Sequence, residues 1–231
     1  MMVLDTPDAL AHAAAEWMLA ALDRPGALAV ALSGGSTPQR LYETLAQPPY
    51  RDRMPWERVH WFLGDERFVP HDDPHSNYRM VQHAMLHLAP ATNIHPVPTE
   101  GLTPAEAAAR YEAELQQYHN TTLETPLFDV VLMGLGTDGH TAGLFLNAPA
   151  LANRTDWAVA VTRADGLPGV TLTYPALESC RHAGFLVAGA DKRDTLARVR
   201  AGQADLPAAG YKPQGTLQWF VDQAAAPLNT P

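Results

Sequence analysis

The stretch that decides the fold is Ala27-Leu-Ala-Val-Ala-Leu32, followed directly by Ser33-Gly-Gly-Ser-Thr-Pro38. The first segment is apolar throughout and lies between glycines, which predicts a buried strand of a parallel sheet. A helix is predicted over residues 37–45, because a proline in the first helical turn costs no hydrogen bond. The stretch therefore predicts a strand, a glycine-rich turn and a helix in succession.

The same alternation continues along the chain. Further strands are predicted at residues 59–63, 128–133, 158–162, 170–173 and 185–187. Helices are predicted at residues 8–22, 76–88 and 191–201, and another from the capping box of Thr103 and Glu106 to about residue 119. Apolar strands that alternate with helices indicate an α/β, Rossmann-like fold with a largely parallel sheet and helices on both faces. One domain is expected over residues 1–231.

Composition excludes several classes of partner. The 231 residues have a formal net charge of -9 with only 16 Lys and Arg residues, so no basic face for nucleic acid is expected. The apolar stretch at residues 9–22 contains His12 and Glu16 and is too short and too polar to cross a membrane. The single cysteine, Cys180, is interpreted as a buried apolar residue, and a reducing cytoplasm is the predicted compartment.

Three glycine-rich or polar segments follow predicted strands, where ligands bind in sheets of this kind. The first is the Ser33–Thr37 loop, in which glycines allow a close backbone approach and the next helix offers free N–H groups. It is neither a Walker loop nor a dinucleotide-binding motif, and it favours a phosphate. The alternative is an ordinary capped strand–helix turn.

The other two segments contain titratable side chains. In Gly64-Asp65-Glu66-Arg67, Asp65 can orient a hydroxyl or a catalytic group and Arg67 can pair with phosphate oxygens, although such a segment is also typical of a solvated turn with local ion pairs. In the segment 133–142, His140 follows a strand and is flanked by glycine, so it can accept a proton near neutral pH. Asp138 is near enough in sequence to hydrogen-bond its ring. His71, Asp72, Asp73 and His75 could hold a metal, but surface-loop composition explains them better.

Taken together, these segments resemble the 6-phosphogluconolactonases, which share a fold with the glucosamine-6-phosphate deaminases and isomerases. Val170-Thr-Leu-Thr173, Gly189-x-x-Lys192 and Trp219-Phe-Val-Asp222 also match the pattern, in order, and the resemblance covers nearly the whole chain. It implies phosphate-binding roles for Ser33, Gly34, Gly35, Ser36, Thr37, Arg67 and Lys192. It implies a catalytic histidine at His140 with Asp138 as its partner, and Asp65 is expected to take part in catalysis.

The resemblance implies hydrolysis of 6-phospho-D-glucono-1,5-lactone, a small sugar-phosphate lactone, by a carboxylic ester hydrolase that is a monomer or homodimer and needs no metal or cofactor. The sequence departs from the family at Gly169, where relatives commonly have an arginine. Arg163 or Lys192 is expected to substitute for it.

Three other functions compete with this one. A deaminase of the same fold needs a glutamate five residues after the histidine, where this chain has Phe145. A non-catalytic sugar-phosphate sensor would need no Asp-Gly-His segment. A serine esterase is disfavoured because no serine lies in a nucleophile-elbow motif.

Overall fold

The computed structural model describes residues 1–120, 125–163 and 165–227. The strands are Met2–Leu4 (β1), Leu28–Leu32 (β2), Val59–Leu63 (β3), Asp65–Arg67 (β4), Ile94–His95 (β5), Phe128–Gly134 (β6), Ala158–Thr162 (β7), Pro168–Leu172 (β8), Cys180–Val187 (β9) and Thr216–Asp222 (β10). The α-helices are Pro7–Ala21 (α1), Ser36–Leu45 (α2), Tyr50–Arg53 (α3), Asn77–Ala84 (α4), Pro104–His119 (α5), Tyr174–Glu178 (α6), Arg193–Arg200 (α7) and Pro207–Gly210 (α8).

The central sheet has seven strands in the order β1-β10-β9-β6-β2-β3-β5, and every neighbouring pair is parallel. Helices flank it, which confirms the predicted α/β class. The strand order reverses at β2, because the chain continues from β2 to β3 on one side and later returns to β6 on the other. The loops after β2 and β6 therefore diverge at the crevice where such sheets bind ligands.

A second, three-stranded sheet has the order β4-β8-β7 and is antiparallel. Two of its strands, β7 and β8, were predicted as strands, but nothing in their apolar patterns distinguishes them from strands of the main sheet. The third, β4, consists of Asp65, Glu66 and Arg67 and lacks any apolar run. This polar segment is a strand because its backbone pairs with β8, which is distant in sequence.

Most helices lie where the sequence predicts them. The capping box at the start of α5 is present, with the Thr103 side chain accepting from the Glu106 N–H and Glu106 accepting from the Thr103 N–H. Two predicted helices are shorter: α4 ends at Ala84 and a separate 3-10 turn follows, and α7 begins at Arg193 after a 3-10 turn at Ala190–Lys192. The tighter turn at Ala190–Lys192 begins at Gly189, whose φ of 102° lies outside the helical region.

The core of the protein lies on the central strands. All five residues of β2 are buried, and so are the first six of β6, as expected for strands covered on both faces. Cys180 is also buried, and burial raises the pKa of its thiol to about 11, which agrees with its interpretation as an apolar core residue. Among the described helices, none combines the length and apolar character needed to cross a membrane.

Candidate active site

A cavity of about 210 Å³ opens at the carboxyl ends of β2 and β6, where the strand order reverses. It is lined by all the predicted site residues except Asp138: Ser33, Gly34, Gly35, Ser36, Thr37, Asp65, Arg67, His140 and Lys192. Three separate strand ends and the turn before α7 supply them. Segments far apart in the sequence are thus brought to one place by the parallel sheet.

The loop between β2 and α2 presents backbone N–H groups to the cavity. Gly35 is the N-cap residue of α2 and has φ of 102°, a conformation that side chains other than glycine rarely adopt. Because Gly35 has no side chain, no cap competes for the first N–H groups of α2. Ser36 and Thr37 form this first turn and line the cavity. The positive end of the helix dipole and these N–H groups suit an anion such as phosphate.

Two buried tyrosines hold the strand ends from which the site loops leave. The hydroxyl of Tyr42 accepts from the Ser33 N–H at 3.0 Å and donates to the Ser33 carbonyl at 2.8 Å. The hydroxyl of Tyr111 does the same at the end of β3, with 2.7 Å to the Leu63 nitrogen and 2.9 Å to the Leu63 oxygen. Both side chains are fully buried, and burial raises the pKa of each hydroxyl, so both stay protonated. The sequence offered no signal for this role, because a tyrosine on a helix is equally typical of a core residue.

His140 and Asp138 form a hydrogen-bonded pair on the loop after β6. The distance from His140 Nδ1 to Asp138 Oδ1 is 2.5 Å, and the same oxygen accepts from the His140 backbone N–H at 3.1 Å. Partial burial raises the pKa of Asp138, but these hydrogen bonds from His140 outweigh burial and hold that pKa below its usual value. Since the ionised carboxylate accepts a hydrogen bond from Nδ1–H, Nε2 of the neutral ring has a free lone pair.

Gly136 provides the space for this pair. A Cβ atom at position 136 would lie 2.1 Å from His140 Nδ1 and 2.6 Å from Asp138 Oδ1. The loop also closes on itself, because the Gly136 N–H donates to the His140 carbonyl at 2.9 Å. The ring of Phe145 also lies 4.7 Å from the imidazole, centroid to centroid. The histidine is therefore held by its carboxylate, its own loop and an aromatic neighbour.

The strand β4 directs Asp65 and Arg67 to the cavity and Glu66 into the protein. Glu66 is 1% exposed and accepts from the backbone N–H groups of Asn77 and Tyr78, each at 2.7 Å. The Ser76 hydroxyl also donates to it at 3.0 Å. The interpretation of this segment as a solvated turn is thus wrong for Glu66. Its side chain is buried against the first turn of α4.

Asn77 lines the cavity and also donates its backbone N–H to the buried carboxylate of Glu66. Its Nδ2 donates to the Asp65 carbonyl at 2.9 Å, and a Cβ atom at Gly34 would lie 2.1 Å from its Oδ1. The side chain therefore fits between Asp65 and the anion-binding loop. Its Oδ1 is buried and has no hydrogen-bond partner among the described residues. No local sequence pattern predicts this role for Asn77.

Lys192 reaches the cavity from the turn before α7. Its Nζ lies 3.5 Å from Asp191 Oδ2, and its side chain is mostly buried. The turn is fixed by Asp222 at the end of β10, whose carboxylate accepts from the Gly189 N–H at 3.1 Å. The C-terminal segment that matched the family pattern therefore positions Lys192.

The four residues considered as metal ligands, His71, Asp72, Asp73 and His75, lie outside the cavity. His71 hydrogen-bonds the Val97 carbonyl at 2.8 Å, and His75 pairs with Asp73 at 2.9 Å. Within residues 1–120, 125–163 and 165–227, no group of three or more His, Cys, Asp or Glu side chains is arranged to hold a metal ion.

The fold and the site define an α/β protein in which a glycine-rich loop that suits an anion and a histidine hydrogen-bonded to a carboxylate line one cavity. Residues 5–219 match the model of the glucosamine-6-phosphate isomerase/6-phosphogluconolactonase family, so the chain belongs to that family. The prediction of an enzyme of this family is thereby confirmed.

Relatives and solved structures agree with this assignment. A 6-phosphogluconolactonase of Nostoc is 45% identical over 211 residues, which cover 89% of this chain and 86% of that protein. The crystal structure of a 6-phosphogluconolactonase from Thermotoga maritima is 30% identical and has a TM-score of 0.82 over 96% of this chain and 98% of that one. A monomeric glucosamine-6-phosphate deaminase also has a TM-score of 0.82, over 97% of each chain, but at 16% identity this likeness shows the fold alone.

Proposed function

We propose that the protein hydrolyses 6-phospho-D-glucono-1,5-lactone to 6-phosphogluconate, as a carboxylic ester hydrolase of the oxidative pentose phosphate pathway. The observation that carries the proposal is that His140, hydrogen-bonded to Asp138 at 2.5 Å, lines the same cavity as the loop from Ser33 to Thr37. One part of the cavity can bind a phosphate while another can move a proton. The names of the relatives point to the same reaction.

In the proposed mechanism, Nε2 of His140 takes a proton from water as the water oxygen attacks the lactone carbonyl carbon. The carbonyl electron pair moves to its oxygen, which needs hydrogen-bond donors. When that pair returns, the bond from the carbonyl carbon to the ring oxygen breaks. The proton on His140 then passes to the ring oxygen, which becomes a hydroxyl. Asp138 keeps the imidazole in the required tautomer and stabilises its charged form.

The phosphate fixes the substrate at the other end. The N–H groups of Ser36 and Thr37, together with Arg67 and Lys192, supply positive charge on the cavity wall. Binding energy from this remote group orients the lactone beside His140, which lowers the entropic part of the barrier. Asp65, which is 8% exposed, is proposed to accept from a substrate hydroxyl.

A deaminase activity is disfavoured at the same site. The position five residues after His140 is Phe145, which is 7% exposed and packs on the imidazole. An aromatic ring there cannot act as the carboxylate that deamination requires. Incubation with glucosamine-6-phosphate should release no ammonia, and its release would favour the deaminase instead.

The test of the proposal is the His140→Ala variant, assayed by the acid released during lactone hydrolysis at constant pH. We expect turnover to fall by at least about 10²-fold, the contribution typical of a general base. The matched control is His87→Ala, because His87 is exposed and lies outside the cavity. Near-normal turnover in His140→Ala, with circular dichroism unchanged, would rule out the assignment. The cytoplasmic location and the monomeric or homodimeric state stay predictions.

A further inference from the structure

Arg163 lies in the cavity, although the mechanism above does not use it. It follows β7, lines the cavity and has a side chain that is only 14% exposed. A guanidinium stays charged at every physiological pH and presents five N–H donors. A cation buried to this extent is costly unless acceptors satisfy those donors.

Within the described chain, Arg163 has only loose partners. Its NH1 lies 3.7 Å from Asp65 Oδ2, and its Nε lies 3.5 Å from Asp165 Oδ2, both too long for good hydrogen bonds. The buried Nε atom has no hydrogen-bond partner among the described residues. The guanidinium carbon lies 5.5 Å from the centre of the Phe145 ring, which holds the group in place but accepts no conventional hydrogen bond. The donors of Arg163 are therefore available to a ligand.

The small sheet places Arg163 next to Arg67. Gly169 of β8 pairs with Arg67 on one side and with Val161 on the other, so these three positions share one face. The hairpin continues past β7, with the Arg163 N–H donating to the Leu167 carbonyl at 2.9 Å. Arg163 is thus two residues beyond Val161, on the same face. A Cβ atom at Gly169 would lie 3.8 Å from Arg163 Cδ, so the arginine passes over the space that this glycine leaves open.

The other two cations of the cavity are partly engaged. One terminal nitrogen of Arg67 donates to the His75 carbonyl at 2.7 Å, and Lys192 lies 3.5 Å from Asp191. A phosphate monoester has a charge of about -1.5 to -2 near pH 7. In a chain with a net charge of -9, such a group needs local cations, and Arg163 is the one with the most unused donors.

We infer that Arg163 binds the phosphate of the substrate, donating two parallel hydrogen bonds to its oxygens opposite the Ser33–Thr37 loop. The inference rests on the proposed function for the identity of the substrate. The guanidinium lies against the Phe145 ring and 3.7 Å from Asp65, and the phosphate replaces this loose ion pair by direct hydrogen bonds.

The test compares Arg163→Gln with Arg163→Lys and with Arg154→Gln. Arg154 is the matched control because it packs over Tyr174 and does not line the cavity. For Arg163→Gln we expect weaker binding of inorganic phosphate by calorimetry and of 6-phosphogluconate as a competitive inhibitor, each by about 10- to 100-fold. The KM for the lactone should rise by a similar factor, while kcat at saturation stays within about threefold. Arg163→Lys should recover part of the affinity, and Arg154→Gln should behave as the unsubstituted protein.

Two results would overturn the inference. One is phosphate binding by Arg163→Gln as tight as that of Arg154→Gln. The other is a fall in kcat with phosphate affinity unchanged, which would place Arg163 at the lactone carbonyl. If the unsubstituted protein binds phosphate but does not hydrolyse the lactone, the proposed function fails, and the phosphate titrations still decide the role of Arg163.

Discussion

The hydroxyl of Tyr42 forms both backbone hydrogen bonds of Ser33, accepting from its N–H at 3.0 Å and donating to its carbonyl at 2.8 Å. Ser33 is the first residue after β2, and within the described residues no strand forms hydrogen bonds with its backbone. A helix side chain therefore completes the end of the strand and sets the direction in which the anion-binding loop departs. The same pattern recurs between Tyr111 and Leu63.

The Tyr42→Phe variant tests this relationship. Removal of the hydroxyl leaves a buried N–H and a buried carbonyl unpaired, and we expect the free energy of unfolding to fall by about 1–3 kcal/mol. KM should also rise, since the loop loses its fixed position, whereas kcat should change less. Denaturant unfolding and steady-state kinetics provide the two measurements. Tyr211→Phe is the control, because its buried hydroxyl donates to the Leu177 carbonyl at 2.9 Å and it does not line the cavity: this variant should lose stability but keep its KM.

The Asp138→Asn variant tests the role of the carboxylate beside His140. Asparagine can present its NH₂ group to Nδ1 and favour the wrong tautomer, so we expect kcat to fall by about 10²- to 10⁴-fold. Because Asp138 is behind the imidazole and does not line the cavity, the affinity for inorganic phosphate should stay the same. Asp205→Asn, which alters an exposed ion pair with Arg198, serves as the control. Unchanged kcat in Asp138→Asn would contradict the role of the pair.

The Gly136→Ala variant should separate chemistry from binding. A methyl group at this position would overlap both His140 and Asp138, at 2.1 Å from Nδ1 of the histidine and 2.6 Å from Oδ1 of the aspartate. The pair must move apart, so we expect loss of most turnover. Phosphate titration should give a nearly unchanged dissociation constant, because the Ser33–Thr37 loop is on another strand end. A variant with full activity would show that the observed pair is not the reactive arrangement.

Glu66 gives a prediction for pH dependence. Burial raises the pKa of its carboxyl, and nearby Asp65 adds to this, although hydrogen bonds from three backbone N–H groups oppose it. The folded protein therefore holds this proton more tightly than the unfolded chain. The contribution of Glu66 to the free energy of unfolding should therefore decrease as pH rises from 4.5, the ordinary pKa, to the raised pKa of the folded protein.

In Glu66→Gln, that pH dependence should disappear from unfolding curves measured between pH 4.5 and neutral pH. The amide also brings a donor toward N–H groups that need acceptors, so stability at neutral pH should fall by about 2–3 kcal/mol. The control is Glu43→Gln, because Glu43 is an exposed helix residue that contacts Gln39. Equal pH dependence in Glu66→Gln and in the unsubstituted protein would contradict the assignment.

The sequence predicted four of the seven strands of the central sheet, β2, β3, β6 and the end of β9, because continuous apolar runs mark them. It did not predict β1, β5 and β10, because β1 and β5 have only three and two residues and polar residues interrupt the apolar pattern of β10. It could not predict that β7 and β8 leave that sheet, since both patterns are apolar and their partner, β4, is polar. Pairing between Asp65 and Thr171 depends on segments more than a hundred residues apart, which no local pattern records.

The site was predictable to the extent that it follows strand ends. His140, Arg67 and the Ser33–Thr37 loop could be placed together because parallel strands end at one edge. The supporting residues could not, because Tyr42 and Glu66 act through partners that only the folded chain brings into contact. The hydrogen bond between Asp138 and His140 was expected from their spacing, and the structure confirms that contact.

The loop after β6 contains the whole proposed proton-transfer unit within residues 136–140, closed by one backbone hydrogen bond. The groups proposed to bind the phosphate, in contrast, come from the loop after β2, from β4, from the turn before α7 and from the end of β7. The two properties should therefore respond differently to sequence change. A single insertion within residues 136–140 would abolish reactivity. Affinity for the phosphate would instead decline gradually, as substitutions accumulated in the separate segments that bind it. Descendants of this chain could lose their preference for one sugar phosphate and keep a working base.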